Sequence, residues 1–215
     1  RTVGDPKERF QEDALRMMRA VRFVSQLGFS IDSLTYKALK DYGHLLEHIA
    51  VERISIEFEK LLLGKNCKSA LRIIIETELY QYLPGFNYQK DSLSDFLGII
   101  PKTALSIEEY WVLLLYYLQV DSGKADKFLR VWKQPVKKIK RVKKGLVWLS
   151  FRLQHEWSVV QLYRAQRELV ISTEKLFQAL SGHSDENALL VLEQRFESLP
   201  IQQRCELSVS GNDLI

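Results

Sequence analysis

The sequence has little of what marks several common protein classes. It holds two cysteines in 215 residues, Cys67 and Cys205, too few to staple a chain of this length. No apolar run approaches the roughly 20 residues that cross a bilayer, and no charged-then-apolar signal opens the chain. Alternating β-branched segments, which indicate strands, are nearly absent. These absences argue against disulfide-rich secreted, membrane-spanning and β-sheet proteins, and they favour a reducing cytoplasm.

Apolar residues recur at helical spacing along most of the chain. A first long helix is predicted from Gln11 to Leu27, because Gly28 follows it and glycine ends helices. Asp32 or Ser33 should cap the next helix, which Gly43 interrupts. The remaining predicted helices are Val51–Leu63, Lys68–Leu83, Ile107–Val120, Lys124–Lys133, Pro135–Leu153, Ser158–Arg167, Glu168–Leu180 and Asp185–Leu199.

The fold class predicted from this pattern is all-α, with about ten helices in an elongated array. Only the stretch from Phe86 to Leu105 looks irregular, and we interpret it as a loop or linker. We expect three parts, at residues 1–64, 65–154 and 155–215. Neither end looks like a natural terminus, so we expect a fragment of a longer protein.

The charge of the chain is unevenly distributed. Ten lysines and arginines and no acidic residue fall between Lys127 and His155. The rest of the sequence holds 21 cations against all 27 acids. One basic segment on a mildly acidic body favours a local contact with a polyanion.

Four charged side chains recur at every third position of the first predicted helix: Asp13, Arg16, Arg19 and Arg22. Residues three apart on a helix are neighbours, so Asp13 and Arg16 should present a hydrogen-bond acceptor beside a donor. Leu15, Met18 and Val21 lie on another face and should be core. The alternative is an ordinary surface helix, with Glu12 and Arg16 forming an exposed ion pair.

An acceptor beside a donor can distinguish nucleobases. Cytosine and adenine each offer an amino donor next to a ring-nitrogen acceptor, which matches a carboxylate next to a guanidinium. Uracil and guanine offer the reverse order, and each mismatched group would cost roughly 1–3 kcal/mol. A rigid Asp13–Arg16 pair would therefore select C and A against U and G.

The start of the chain resembles the neck signature of bacterial class II CCA-adding tRNA nucleotidyltransferases, whose superfamily includes poly(A) polymerases. The matching positions are Arg1, Val3, Gly4, Pro6, Arg9, Phe10, Glu12, Asp13, Leu15, Arg16, Arg19, Arg22 and Phe23. A second similar block runs from Glu52 to Leu62, where Glu57 or Glu52 is expected to brace the arginine-rich helix. A third, Ser208–Leu214, is similar to the opening of the family's tail region.

The resemblance implies a function for the site. Asp13 and Arg16 would be the family's amino-acid template for CTP and ATP, with Arg19 and Arg22 also lining the nucleotide site. The family's catalytic head, with its phosphate loop and Mg²⁺-binding carboxylates, would lie upstream of this neck, body and start of the tail. We therefore expect no catalytic residue and no metal ligand in this chain, and no activity from it alone.

The parent enzyme would add C, C and A to tRNA from CTP and ATP with Mg²⁺. It would act in the cytoplasm and would not bind a membrane. A poly(A) polymerase or a CC- or A-adding relative fits the same residues. A free-standing helical RNA-binding module without an enzymatic parent is the alternative of another class.

The basic segment predicts a second contact surface. Lys137, Lys140, Arg141 and Lys144 share one helical face, while Val136, Ile139, Val142 and Leu146 form an apolar stripe on another. The functional interpretation is a row of contacts to the phosphates of tRNA. The alternative is a solvated lysine face. His44 and His48 have the spacing of zinc ligands but lack a third, so we interpret them as surface residues.

Overall fold

The computed structural model of the chain describes residues 4–87, 89–101, 104–182 and 185–201, apart from the side chain of Glu186. Over these residues the backbone forms twelve α-helices and two 3₁₀ helices without a strand, so the all-α prediction is confirmed. The α-helices, α1 to α12 in order, are Pro6–Glu12, Leu15–Leu27, Ser33–Tyr42, Val51–Leu62, Cys67–Glu76, Lys90–Ile99, Ile107–Tyr117, Ala125–Val131, Val136–Arg152, Val159–Ala165, Arg167–Ser181 and Glu186–Glu197. The 3₁₀ helices are Gly43–His48 and Leu79–Tyr82.

The chain folds as two compact units, Arg1–Lys143 and Lys144–Ile215. The division falls within α9. The three-part division into 1–64, 65–154 and 155–215 stays a prediction. The residues Arg1, Val3, Cys205 and Ser208–Leu214 lie outside the described part of the chain. None of the helices in the described part combines the length and apolar character that crossing a bilayer requires.

The helix predicted over Gln11–Leu27 is two helices, so that prediction is wrong at its start. Asp13 has an extended backbone, with φ −151° and ψ 102°, between α1 and α2. Its carboxylate accepts a hydrogen bond from the Leu15 N–H at 3.1 Å. Short acidic side chains compete with the helix for such backbone donors, which is why the break falls here. The end is as predicted, because Gly28 closes α2 at φ 69°.

The core of the first unit is built around α2, which packs against α4 and α5. Leu15, Met18 and Val21 are buried there, as predicted. A second group joins Phe58, Phe86, Trp111 and Trp132, whose ring centroids lie between 5.0 and 6.0 Å apart. The Trp132 indole donates to the Pro84 carbonyl oxygen at 2.7 Å, so its buried N–H is satisfied.

Two segments differ from the sequence prediction. The helix expected over Lys68–Leu83 ends at Glu76, because Glu78 adopts a left-handed conformation at φ 62° and a 3₁₀ turn follows. The stretch expected to be irregular contains α6, which buries Leu93 and Phe96. The buried side chains supply the stabilisation that local propensity did not indicate.

The second unit buries an apolar cluster around Trp157, with Leu162 and Val170 from α10 and α11 and Phe196 from α12. A charged pair lies beside it. Arg152 donates to both carboxylate oxygens of Glu174 at 2.8 and 3.2 Å, and the Trp157 indole donates to the same group at 3.0 Å. These bonds satisfy a carboxylate that is only 4% exposed.

Candidate functional site

Asp13 lies in the break between α1 and α2, where its carboxylate is held from two sides. One oxygen accepts from the Leu15 N–H, and the other lies 3.1 Å from Nη2 of Arg53 on α4. The Asp13 side chain remains 29% exposed. It lines a cleft of about 450 Å³ together with Phe10 and His48. The carboxylate is therefore fixed in direction and open to one side.

Arg16 follows on the first turn of α2 and is held by Glu12. Its Nη1 lies 2.6 Å from a Glu12 oxygen and donates to the Arg9 carbonyl oxygen at 3.2 Å. Arg9 approaches the same Glu12 carboxylate at 3.0 Å. Hydrogen bonding by Arg16, and then by Arg9, lowers the pKa of the Glu12 carboxyl. The surface ion pair considered as an alternative is thus present, and it also orients Arg16.

Arg22 is braced by Glu57, as the sequence predicted. Its Nε lies 2.6 Å from a Glu57 oxygen, with side chains only 13% and 11% exposed. Its Nη1 donates to Gln26, and its guanidinium lies 4.3 Å from the centre of the Phe23 ring. Glu52, the other candidate brace, faces Lys133 at 3.9 Å instead.

Arg19 is exposed, and in the described part of the chain it has no carboxylate partner. It lines a cleft of about 420 Å³ together with Arg16. The structure thus brings Arg16 and Arg19 to one cleft and places Asp13 at another. Arg22, nearly buried against Glu57, lines neither.

Helix α4 organises the site, and Arg53 is the residue that sequence reasoning missed. Arg53 holds Asp13 and Glu57 holds Arg22, one turn apart on the same helix. On another side of α4, Glu59 accepts from Lys138 at 2.8 Å and from the Trp111 indole at 2.8 Å. The spacing of Arg53 and Glu57 is a signal that could have found Arg53, since residues four apart share a helix face.

The four cations of the predicted basic face, Lys137, Lys140, Arg141 and Lys144, are exposed on α9. Ile139, Val142 and Leu146 of the apolar stripe are buried, whereas Val136 is 53% exposed, contrary to prediction. Val136 is the first residue of α9, before the turns whose apolar side chains are buried.

Several cations of the basic segment have acidic partners from other parts of the chain. Lys133 faces Glu52, Lys138 pairs with Glu59, and Arg141 lies 3.7 Å from Glu108. Arg130 pairs with Asp126 and Arg152 with Glu174. The segment is therefore less basic than its sequence alone indicates. Lys137, Lys140 and Lys144 make no ion pair within the described residues.

The acidic residues of the site do not suit a divalent metal ion. Glu12, Asp13 and Glu57 each pair with an arginine, which neutralises the charge that a metal would need. Within the described ranges, no three His, Cys, Asp or Glu side chains gather at one point. A Mg²⁺ ion therefore does not fit these three carboxylates.

Comparison with known proteins shows which family the chain resembles. Residues 103–215 match the family model for tRNA nucleotidyltransferase domain 2, and residues 28–90 match a model described as "Probable RNA and SrmB-binding site of polymerase A". The CCA-adding enzymes of Bacillus cytotoxicus and Bacillus cereus are 41% and 40% identical to the chain over 214 residues, covering 100% of it and 53% of each relative. The chain spans about half the length of these curated relatives.

Solved structures of CCA-adding enzymes also match the chain. The crystal structure of the Bacillus stearothermophilus CCA-adding enzyme in complex with CTP matches with a TM-score of 0.93 at 40% identity, over 100% of this chain and 54% of that one. The Thermotoga maritima CCA-adding enzyme complexed with tRNA shares the fold alone, with a TM-score of 0.52 at 16% identity over 95% of this chain and 52% of that one. Since one family model covers more than half of the chain and relatives align along all of it, the chain belongs to the tRNA nucleotidyltransferase family.

Proposed function

We propose that this chain is the base-selecting and tRNA-binding portion of an enzyme that adds C, C and A to the 3′ end of tRNA. One observation carries the proposal. Asp13 and Arg16 are held in place by Arg53 and Glu12, at the positions of the family signature, in a chain 41% identical to CCA-adding enzymes along its whole length.

The proposed selection rests on hydrogen-bond polarity. The Asp13 carboxylate would accept from the amino group of cytosine or adenine, and the Arg16 guanidinium would donate to the adjacent ring nitrogen. Uracil and guanine would place a carbonyl against the carboxylate and an N–H against the guanidinium. Each unpaired group costs roughly 1–3 kcal/mol, which is enough to exclude both bases. Arg19 and Arg22 are proposed to belong to the same nucleotide site, Arg19 beside Arg16 in its cleft and Arg22 behind it, held by Glu57.

The phosphoryl transfer itself would depend on residues outside this chain. Metal ions neutralise the triphosphate in such reactions and favour attack by the 3′-hydroxyl. Because the carboxylates described above are paired with arginines, this site would supply recognition and not metal binding. We expect no nucleotide incorporation by the 215-residue chain alone, and incorporation by it would contradict this division of roles.

The partners of the proposed enzyme are tRNA, CTP and ATP, in the cytoplasm. Lys137, Lys140, Arg141 and Lys144 are proposed to contact tRNA phosphates. A poly(A)-adding function is the second candidate, favoured by the polymerase A model that matches residues 28–90. The products of the full-length enzyme on tRNA without CCA would separate the two, since three added nucleotides indicate CCA synthesis and a long A tract indicates poly(A) synthesis.

The test of base selection is Asp13→Asn in the full-length enzyme that carries this chain. The amide keeps the size of the side chain and an oxygen for the Leu15 N–H, but it can present a donor where the base also has one. We expect discrimination against UTP and GTP to fall by about tenfold or more. Asp5→Asn is the matched control, because Asp5 also accepts from a backbone N–H at a helix start, at 3.0 Å. Unchanged discrimination in Asp13→Asn would overturn the proposal.

A further inference from the structure

The first unit contains a cleft that the proposed function does not use. Its volume is about 480 Å³, and it shares no lining residue with the clefts of Asp13 and Arg16. It is lined by the turn between α4 and α5 and, from later in the chain, by Ile100, Pro101 and Leu105. Its size is within the range of ligand-binding sites.

The charge of this cleft has one sign. Lys65 and Lys68 belong to its lining, and neither exposed lysine makes an ion pair within the described residues. The described lining residues include no Asp or Glu. Lys68 donates to the Gly98 carbonyl oxygen at 3.4 Å, but an ammonium group has three protons and keeps capacity for a carboxylate. Two cations without acidic neighbours indicate an anionic occupant.

Apolar side chains continue from the cleft along the outer face of α4. Leu63 lines the cleft and is 55% exposed, and Ile56 is 53% exposed. Residues seven apart share a helix face, and Lys60 lies between the two on the same face. Lys60 is exposed and makes no ion pair with the described residues either. The cleft and this face together form one surface with apolar and cationic groups side by side.

A protein segment suits this surface better than RNA does. The described lining of the cleft holds no arginine, and its single aromatic residue, Tyr110, is only 6% exposed. Single-stranded nucleic acids stack on exposed aromatic faces and on arginines, and an RNA double helix is too wide to enter. A carboxylate needs no stacking partner and pairs with the point charge of a lysine.

We infer that this surface docks an acidic segment of a partner protein, with an apolar side chain of the segment in the cleft and its carboxylates facing Lys60, Lys65 and Lys68. The contact would lie apart from the proposed nucleotide site and from the lysines of α9. It goes beyond the proposed function, because it assigns a protein partner to an enzyme whose proposed partners are tRNA and nucleotides.

The test uses an array of nine-residue peptides, each with Leu, Ile, Phe or Met at its centre and Asp or Glu at most other positions. The full-length enzyme that carries this chain should bind a subset of them. Fluorescence anisotropy then measures the affinity for the strongest peptide. The double variant Lys65→Gln, Lys68→Gln should weaken it by about tenfold, since two charge pairs are lost. Serine at the centre of the peptide should weaken it similarly, because the apolar anchor is lost while the protein is unchanged.

Lys37→Gln, Lys40→Gln is the matched control, since these two lysines are also exposed and three residues apart, on α3. It should leave the affinity unchanged. The inference would be overturned if no acidic peptide bound, or if both double variants bound the peptide equally well.

Two other occupants would also overturn the inference. If Lys65→Gln, Lys68→Gln weakened tRNA binding as much as peptide binding, and tRNA displaced the peptide, the surface would bind RNA. If the enzyme were a dimer that this variant dissociates, a second copy would cover the surface. The peptide readout uses neither a nucleotide nor tRNA addition, so its outcome is independent of the Asp13 test.

Discussion

One oxygen of the Asp13 carboxylate accepts a hydrogen bond from the Leu15 N–H, and the other accepts one from Arg53. Each carboxylate oxygen can accept more than one hydrogen bond, so both contacts leave capacity for a ligand amino group. Asp13 was predicted from the sequence as a site residue, but on a continuous helix. The backbone instead leaves the helix at Asp13, because its side chain captures a backbone donor that the helix would have used.

At the residue scale, we predict that Glu57→Gln destabilises the first unit by about 3 kcal/mol, as expected when one partner of a buried ion pair is removed. Arg22 would keep its charge without a carboxylate beside it, with Gln26 and the Phe23 ring as its other contacts. The measurement is the free energy of unfolding in urea. The control is Glu52→Gln, whose partner Lys133 lies 3.9 Å away with both side chains more than half exposed. If Glu57→Gln lowered the free energy of unfolding no more than the control does, the Glu57 pair would not stabilise α2.

At the element scale, α9 carries both a buried and an exposed set of cations. Lys138 is tied to Glu59 on α4, and Ile139 and Val142 are buried beside it. This attachment turns Lys137 and Lys140 towards solvent. The sequence predicted the exposed face correctly, because helical spacing determines which residues share a side.

We predict that the double variant Lys137→Ala, Lys140→Ala lowers the slope of tRNA affinity against salt concentration by about two, near 0.9 for each lost phosphate contact. The measurement is the tRNA dissociation constant between low and moderate salt. The control pair is Lys37→Ala, Lys40→Ala, two exposed lysines on α3 that remove the same charge. Equal slopes in both double variants would show that the basic face of α9 is a solvated surface and does not contact tRNA phosphates.

The contact between the end of α4 and α2 depends on a glycine. A Cβ at Gly64 would lie 2.7 Å from the carbonyl carbon of Ser25, and the Ser25 hydroxyl already donates to the Leu61 carbonyl oxygen at 2.5 Å. Gly64→Ala should therefore destabilise the protein by about 1–3 kcal/mol through overpacking.

Gly98→Ala is the matched control, because a Cβ there meets no atom within 4 Å and Gly98 lies in α6. It should stabilise the protein by about 0.5–1 kcal/mol, since alanine restricts the unfolded chain more than glycine. Thermal unfolding of both variants measures the effect. If the unfolding temperature changed in the same direction in both variants, the close approach at Gly64 would be contradicted.

At the scale of the whole molecule, the two units differ in where their least exposed ion pairs lie. In the first unit, two ion pairs with little exposure lie at different residues of α4, Glu57 with Arg22 and Glu59 with Lys138. In the second, Arg152, Glu174 and the Trp157 indole meet at one point. Arg152 also lies 3.9 Å from the centre of the Phe177 ring. Such a buried group is strongly coupled, so the loss of one member leaves the others unpaired.

We predict that Glu174→Gln lowers the stability of the second unit by about 3 kcal/mol, because Arg152 would keep its charge in a buried position. Hydrogen exchange of the backbone amides of α11 measures this directly. Glu193→Gln is the control, since its pair with Arg167 is exposed. Unchanged protection in Glu174→Gln would mean that the buried pair contributes nothing to the stability of the unit.

The sequence by itself determined the helical class, the ends set by Gly28 and Asp32, and the side of α9 that faces solvent. These features depend on local propensity and on the 3.6-residue period, which neighbouring residues fix. The tertiary structure alone decided that Arg53 holds Asp13 across 40 positions and that Glu59 neutralises Lys138 across 79. Such pairs depend on which helices pack together, and the spacing of residues along one helix does not determine its partner.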